Sequence, residues 1–232
     1  MNKNGLQSGH QELSYFRLDL SAIEVSLRAA QAGFSSVNAQ LKEPRDTLSE
    51  EVLHNMLRGY TAVDEYLRAG IDIFSPGNSD AVLELNRLVL CGDDPDRRRR
   101  YRKHIVATEK HFYGEDSGGF GSLMEWLGMN RRDNVWMLAS GLYLRVLSHP
   151  QLFIEGNHRT AVLMLTHLLA SRGYAPFVLD GKNSREFYEI SRPVTQYRKN
   201  SLRMLISFAG KAHELAGFFE QYSDPKYLKM DC

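Results

Sequence analysis

Residues 149–160, HPQLFIEGNHRT, bring together several polar side chains suited to chemistry. Gly156 and Asn157 allow a sharp turn, and the apolar run that follows them predicts that a helix begins there. Free main-chain amides at a helix N-terminus bind anions, and the planar guanidinium of Arg159 in the first turn suits phosphate oxygens. The stretch therefore predicts a turn that binds phosphate.

Two further residues of this stretch suit a reaction centre. Glu155 makes little sense as a phosphate contact, but it makes sense as a ligand of Mg²⁺, which bridges carboxylate and phosphate oxygens in nucleotide sites. An imidazole can take a proton from an attacking hydroxyl near neutral pH, so His149 is the candidate general base.

Each of these residues also has an ordinary structural interpretation. Asn157 is suited to capping a helix, Gly156 to a turn, and Arg159 to a surface charge. His149 follows a predicted helix, where a positive charge suits the helix dipole. The functional interpretation depends on a base, a carboxylate, a turn and an arginine falling within eleven residues.

The rest of the sequence is almost entirely helical in its pattern. Apolar residues at three- and four-residue spacing predict an amphipathic helix over 49–67. Similar patterns predict helices over 79–90, 134–147, 160–172, 184–191 and 199–221. The segments near 104–121 and 174–183 are expected to be non-helical. We therefore predict an all-α fold with at most one small β-hairpin, in which the polar stretch connects two helices.

Composition limits the possible partners and the organisation of the chain. The 232 residues are 43% hydrophobic, enough for one sizeable core, and a net charge of +1 provides no general attraction to nucleic acid or to anionic membranes. The basic run DRRRRYRK is interpreted as a solvated surface.

Two cysteines and the lack of an apolar signal segment indicate a soluble cytoplasmic protein. We expect a helical arm over 1–46, a main domain over 47–221 and a tail over 222–232.

The polar stretch resembles the signature of the Fic/Doc family, H-x-F-x-[DE]-G-N-G-R-x-x-R. In that family the signature forms a loop between two helices, and the surrounding segments SLMEWL and WMLASGLYLRVLSHP occur here in the family's order. The resemblance spans roughly residues 50–210. It implies a Fic-like helical bundle with a small β-hairpin flap. It also implies transfer of AMP from ATP to a Ser, Thr or Tyr hydroxyl of a target protein, or, as in a few members, transfer of phosphocholine or another phosphate-bearing group.

The resemblance assigns roles by position. It implies that Mg²⁺ binds Glu155 and that ATP is the co-substrate. The phosphates of ATP would be held by Gly156, Asn157, His158 and Arg159. The family's target-docking flap would fall near HIVAT, residues 104–108, where Ile105, Val106 and Ala107 would pair in a strand-like manner with an extended target segment.

The sequence departs from the family signature at three positions. The family's catalytic histidine corresponds to Gln151, and His149 lies two residues further upstream. His158 replaces the second glycine, where it would crowd the phosphates or add a second imidazole. Val162 replaces the closing arginine, which in the family meets the γ-phosphate. A triphosphate should therefore be held less firmly than in typical members.

Three functions remain in order of preference. The first is a Mg²⁺-dependent nucleotidyltransferase with His149 as the base. The second is a catalytically silent Fic-like protein that binds a nucleotide or a partner chain. The third is a purely structural helical domain, which predicts no stabilisation by nucleotide and Mg²⁺.

Overall fold

A computed structural model of the chain describes residues 15–114, 119–196 and 202–231. Within these ranges it contains ten α-helices and two short strands, so the predicted all-α fold is confirmed. The helices are α1 (Leu20–Asn38), α2 (Glu50–Arg68), α3 (Ser79–Cys91), α4 (Pro95–Arg100), α5 (Arg102–Phe112), α6 (Phe120–Asn130), α7 (Val135–Leu147), α8 (Asn157–Ala170), α9 (Ser184–Ser191) and α10 (Leu202–Tyr222).

The centre of the fold is α8, which is buried on all sides. Every residue from Thr160 to Ala170 is buried, and the helix packs against α2, α3 and α7. Gly59 of α2 lies so close to Leu163 of α8 that a Cβ at Gly59 would overlap the leucine side chain. A helix that is apolar all round belongs in the interior, and here its N-terminus carries the predicted phosphate-binding turn.

The two strands join the ends of the described chain instead of forming a flap. Strand β1 (Tyr15–Leu18) pairs antiparallel with β2 (Leu228–Asp231). The pair is fastened to α2 by Asp64, a buried carboxylate that accepts hydrogen bonds from the Leu18 amide (2.8 Å) and from Arg17 Nη2 (2.7 Å). The small sheet therefore packs on α2, and its two strands are far apart in the sequence, so they do not form a hairpin.

The predicted strand-like flap is wrong, because Ile105, Val106 and Ala107 lie in helix α5. No glycine or proline interrupts residues 102–112, and the side chains of Thr108 and Phe112, one turn apart, are buried. The main-chain groups of a helix interior bond to one another, so they cannot pair with an extended target segment in this conformation. The non-helical segment expected near 104–121 is accordingly limited to the connection between α5 and α6, of which residues 115–118 lie outside the described residues.

Most other predicted helices agree with the structure. The helix expected over 160–172 begins three residues earlier, at Asn157, and residues 199–201 of the last predicted helix lie outside the described ranges. The division into arm, domain and tail stays a prediction; residues 1–14 of the arm are not described, and α1 packs on α2 and α9. In the described part of the chain, no helix is long and apolar enough to cross a membrane.

The role of Asp64 generates a stability prediction. Asp64→Ala removes the acceptor of a buried amide and of a charged donor, and should lower the free energy of unfolding by about 2–3 kcal/mol. The control Asp96→Ala removes a carboxylate whose side chain is 74% exposed and should change that free energy by less than about 0.5 kcal/mol. Urea unfolding followed by circular dichroism measures both, and equal effects would show that Asp64 does not fasten the sheet.

Candidate active site

The loop between α7 and α8 is anchored to the core by two apolar residues. Leu152 and Phe153 are each 1% exposed. The Leu152 amide donates to the Val146 carbonyl (3.0 Å), and the Phe153 ring stacks on Phe112 of α5 with ring centroids 5.5 Å apart. These contacts bury two apolar residues of the loop and hold α5 against it, while Glu155 and the apolar side chain of Ile154 lie at the surface.

Asn157, the first residue of α8, fixes the shape of the loop. Its Oδ1 accepts from the Phe153 amide (2.9 Å), and its Nδ2 donates to the Phe153 carbonyl (2.8 Å) and to Gln151 Oε1 (3.1 Å). Asn157 is therefore a brace within the loop and not the N-cap of α8, which is Gly156. Gln151, which occupies the position of the family's catalytic histidine, is held by this brace.

Gly156 makes the turn into α8 with a left-handed backbone conformation, φ +77°. A Cβ at this position would lie 3.1 Å from Nδ2 of Asn86 and 3.2 Å from Val89 Cγ2, which is tighter than ordinary contact. The same Asn86 amide donates to the Glu155 carbonyl and to Thr160 Oγ1, both at 3.0 Å. Because glycine has no side chain, it provides no cap for the first-turn amides of α8, which keep the character of an anion site.

Arg159 provides a fixed positive charge in the first turn of α8. Its Nη1 donates to the Val89 carbonyl near the end of α3 (2.7 Å). Burial lowers the pKa of the Arg159 guanidinium, and the negative charges of Glu155, Asp46 and Glu51 oppose that shift. An arginine remains charged in proteins, so its charge adds to the positive end of the helix dipole.

Glu155 presents its carboxylate to solvent, with 60% of its side chain exposed. Its Oε2 lies 3.9 Å from Nε2 of His104 on α5. Across the described residues, no group of three or more His, Cys, Asp or Glu side chains is arranged to hold a metal ion. One exposed carboxylate beside an anion site fits the way Mg²⁺ binds, through one or two carboxylates completed by substrate phosphates and water.

His158 is turned into the interior. Its Nδ1 lies 2.8 Å from the hydroxyl of Tyr143 on α7. Burial lowers the pKa of His158 to about 4, with a smaller contribution from the positive charge of Arg45. The imidazole is therefore neutral near neutral pH and adds no positive charge to the anion site, so its predicted role in phosphate binding would need a rotation of the ring.

A largely apolar cavity of about 240 Å³ lies behind the anion site. His158, Arg159 and Val162 form part of its wall, and Arg45 lies beside them. The other walls come mainly from α1, α2 and α9, through Phe34, Met56, Tyr60 and Phe187, and from Phe177 in the segment between α8 and α9. Val162, which stands where the family signature has its closing arginine, therefore lines an apolar space.

His149 is exposed just after α7. Among the described contacts, no hydrogen bond or ion pair joins its side chain to Glu155, Asn157 or Arg159. Two histidines of α5 contact the loop: His104 lies beside Glu155, and Nε2 of His111 is 2.8 Å from the Gln151 carbonyl. Neither histidine was predicted from the sequence to be a site residue, although their seven-residue spacing equals two helical turns.

Comparison with known proteins agrees with the sequence resemblance. No protein-family model matches the chain. It is 26% identical over 140 residues to the "Protein adenylyltransferase Fic" of Drosophila persimilis, a match that covers 58% of this chain and 27% of that protein. The protein of the same name from Drosophila ananassae is 28% identical over 142 residues, covering 58% of this chain and 28% of its own. The chain thus matches little more than a quarter of the length of these relatives.

A solved structure of a Fic domain-containing signaling protein from Bacteroides thetaiotaomicron aligns with 84% of this chain and 81% of its own, with a TM-score of 0.47 and 14% identity. The sequence matches and the signature-like loop, residues 149–160, make the chain similar to Fic proteins over 58% of its length, with a variant of the family signature.

Proposed function

We propose that the chain is a protein adenylyltransferase that moves AMP from ATP to a Ser, Thr or Tyr hydroxyl of a target protein. The observation that carries this proposal is the first turn of α8, where uncapped amides and Arg159 lie next to the exposed carboxylate of Glu155. The relatives named protein adenylyltransferases support the proposed reaction. Anion contacts of this kind are often the largest contribution to the rate of group transfer.

In the proposed reaction, the α8 amides and Arg159 bind the phosphates of ATP. Glu155 would hold Mg²⁺, which would supply positive charge to neutralise the phosphate oxygens. The target hydroxyl oxygen forms a bond to the α-phosphorus of ATP, and the bond from that phosphorus to the bridging oxygen of the β-phosphate breaks. Pyrophosphate leaves, and the hydroxyl proton passes to a base.

His149 is the base in this proposal. It is exposed just after α7, and no hydrogen bond or ion pair in the described part of the chain fixes its imidazole near Glu155. General-base catalysis is typically worth about 10² to 10⁴ in rate, so an imperfectly placed histidine would leave a slow enzyme.

The proposed partner is a protein segment that presents its hydroxyl in an extended conformation. Since α5 offers no main-chain groups for strand-like pairing, we propose that such a segment contacts the side chains of α5. Val106 is 58% exposed there, and Ala107 borders a recess next to Pro150 and Gln151 of the loop.

Label transfer tests this function directly. Incubation of the protein with a cell lysate, Mg²⁺ and ATP labelled at the α-phosphate should label target bands that are absent without the protein. ATP labelled at the γ-phosphate should give no bands that depend on the protein, because pyrophosphate leaves. Glu155→Gln should reduce labelling about 10²-fold, in the range found when one transition-state contact is removed. The control Glu214→Gln, an exposed carboxylate on α10, should leave labelling unchanged.

His149→Ala is the second arm of this experiment. Loss of the bands would support His149 as the base, and unchanged bands would remove it from that role. If adding the protein produces bands with ATP labelled at the γ-phosphate, AMP transfer is contradicted and phosphoryl transfer is indicated. If neither form of ATP labels a target but a labelled phosphocholine donor does, ATP is not the donor and the transferred group is phosphocholine.

A catalytically silent binding protein is the second candidate. The exposed position of His149 and the brace that holds Gln151 favour it, because neither side chain reaches the carboxylate of Glu155 among the described contacts. It predicts thermal stabilisation by nucleotide without any label transfer.

Val162 supplies a prediction about triphosphate affinity. Val162→Arg restores the family's closing arginine in a wall next to Arg159. A charged hydrogen bond to the γ-phosphate is worth about 1.5–3 kcal/mol, so the dissociation constant of ATP should fall by about 10- to 100-fold. AMP has no γ-phosphate, and its dissociation constant should change little.

The matched control is Val162→Met, which adds length without charge and should alter neither constant. Isothermal titration calorimetry measures the affinities, and thermal unfolding of each variant confirms that it is folded. Equal tightening of ATP and AMP would contradict a specific contact with the terminal phosphate.

A further inference from the structure

The face of α5 that packs against the core carries two polar atoms without partners. Nε2 of His104 and Oγ1 of Thr108, one helical turn apart, are both buried and have no hydrogen-bond partner in the described part of the chain. Buried polar atoms of this kind are rare in proteins, and an ion bound at the site is one of their recognised explanations.

The charged group recorded beside His104 is the carboxylate of Glu155. The separation of 3.9 Å between Nε2 and Oε2 is too long for a hydrogen bond. It is close to the separation of two atoms that bind the same metal ion, roughly 3–4 Å when each bond is about 2.1 Å long. The Glu155 side chain is 60% exposed and free to rotate, whereas that of His104 is 26% exposed and more confined.

We propose that His104 and Glu155 together bind a divalent transition-metal ion such as Mn²⁺ at the junction of α5 and the α7–α8 loop. The proposal deepens the proposed function, because Glu155 is the metal residue of that function. His104 adds a nitrogen ligand from a different helix.

The donor set determines the preference between metals. Mg²⁺ prefers oxygen ligands throughout, whereas imidazole binds first-row transition metals well, and carboxylate suits both. A site with one imidazole and one carboxylate, completed by water or phosphate oxygens, therefore favours Mn²⁺ over Mg²⁺. Because His104 lies on α5 and Glu155 on the α7–α8 loop, a metal ion bound by both would join the helix to the loop.

Mn²⁺ binding to the full chain, measured by electron paramagnetic resonance without nucleotide, tests the proposal. His104→Ala and Glu155→Gln should each weaken Mn²⁺ binding at least tenfold, about one decade in the dissociation constant. His104→Gln, which keeps a polar side chain but no imidazole, should weaken it similarly. The control His213→Ala, an exposed histidine on α10, should bind Mn²⁺ as the unmodified chain does.

Competition with Mg²⁺ tests the preference. In the unmodified chain, displacing bound Mn²⁺ should need at least about a tenfold excess of Mg²⁺ over Mn²⁺. In His104→Ala, similar concentrations of the two ions should be enough. Low concentrations of Mn²⁺ should also broaden the imidazole NMR signals of His104 before those of His213. Circular dichroism confirms that each variant is folded.

Equal Mn²⁺ affinity in His104→Ala and the unmodified chain would overturn the proposal, as would no measurable Mn²⁺ binding at all. Loss of binding in Glu155→Gln alone would leave a carboxylate site and remove His104 from it. Because no nucleotide or target is present, these outcomes are independent of label transfer. If no label is transferred but Mn²⁺ still binds in a way that depends on His104, the proposed function is contradicted and the proposed metal site is supported.

Discussion

The side-chain amide of Asn157 is the contact on which the candidate site depends. Phe153 is almost fully buried, and its amide and carbonyl both bond to Asn157. Without this amide, two buried main-chain groups would lose partners, at a cost of about 1–3 kcal/mol each. The brace fixes the loop relative to α8. Asn86 secures the opposite side by bonding to the Glu155 carbonyl, so the left-handed turn at Gly156 lies between two amide side chains.

Burial divides the charges of the site into two parts. Arg159 is partly buried, and its bond to the Val89 carbonyl uses one of its five N–H groups, which leaves the fork able to bind an anion next to the helix dipole. Glu155 lies on the exposed side, facing α5. His158 stays neutral in the interior against Tyr143. This separation would give the phosphates of the proposed ATP and the proposed metal ion different, adjacent places.

Local patterns predicted the parts of the fold that depend on local physics. The 3.6-residue period located α2, α3, α7 and α9, and the Gly-Asn pair located the turn into α8. Helix α5 was missed because its own apolar residues are few and a glycine-rich stretch follows it. The inward orientation of His158 depends on Tyr143, and the end strands pair residues more than 200 positions apart. Such tertiary contacts leave no periodic signal in a sequence.

The central claim is that the N-terminus of α8 binds the phosphate of a nucleotide. The most direct measurement is an amide NMR titration of the isotope-labelled chain with AMP, ATP and adenosine. The account predicts that the amide signals of Asn157, His158 and Arg159 shift with AMP and ATP but not with adenosine, which has no phosphate. Shifts confined to other parts of the chain, or equal shifts with adenosine, would contradict it.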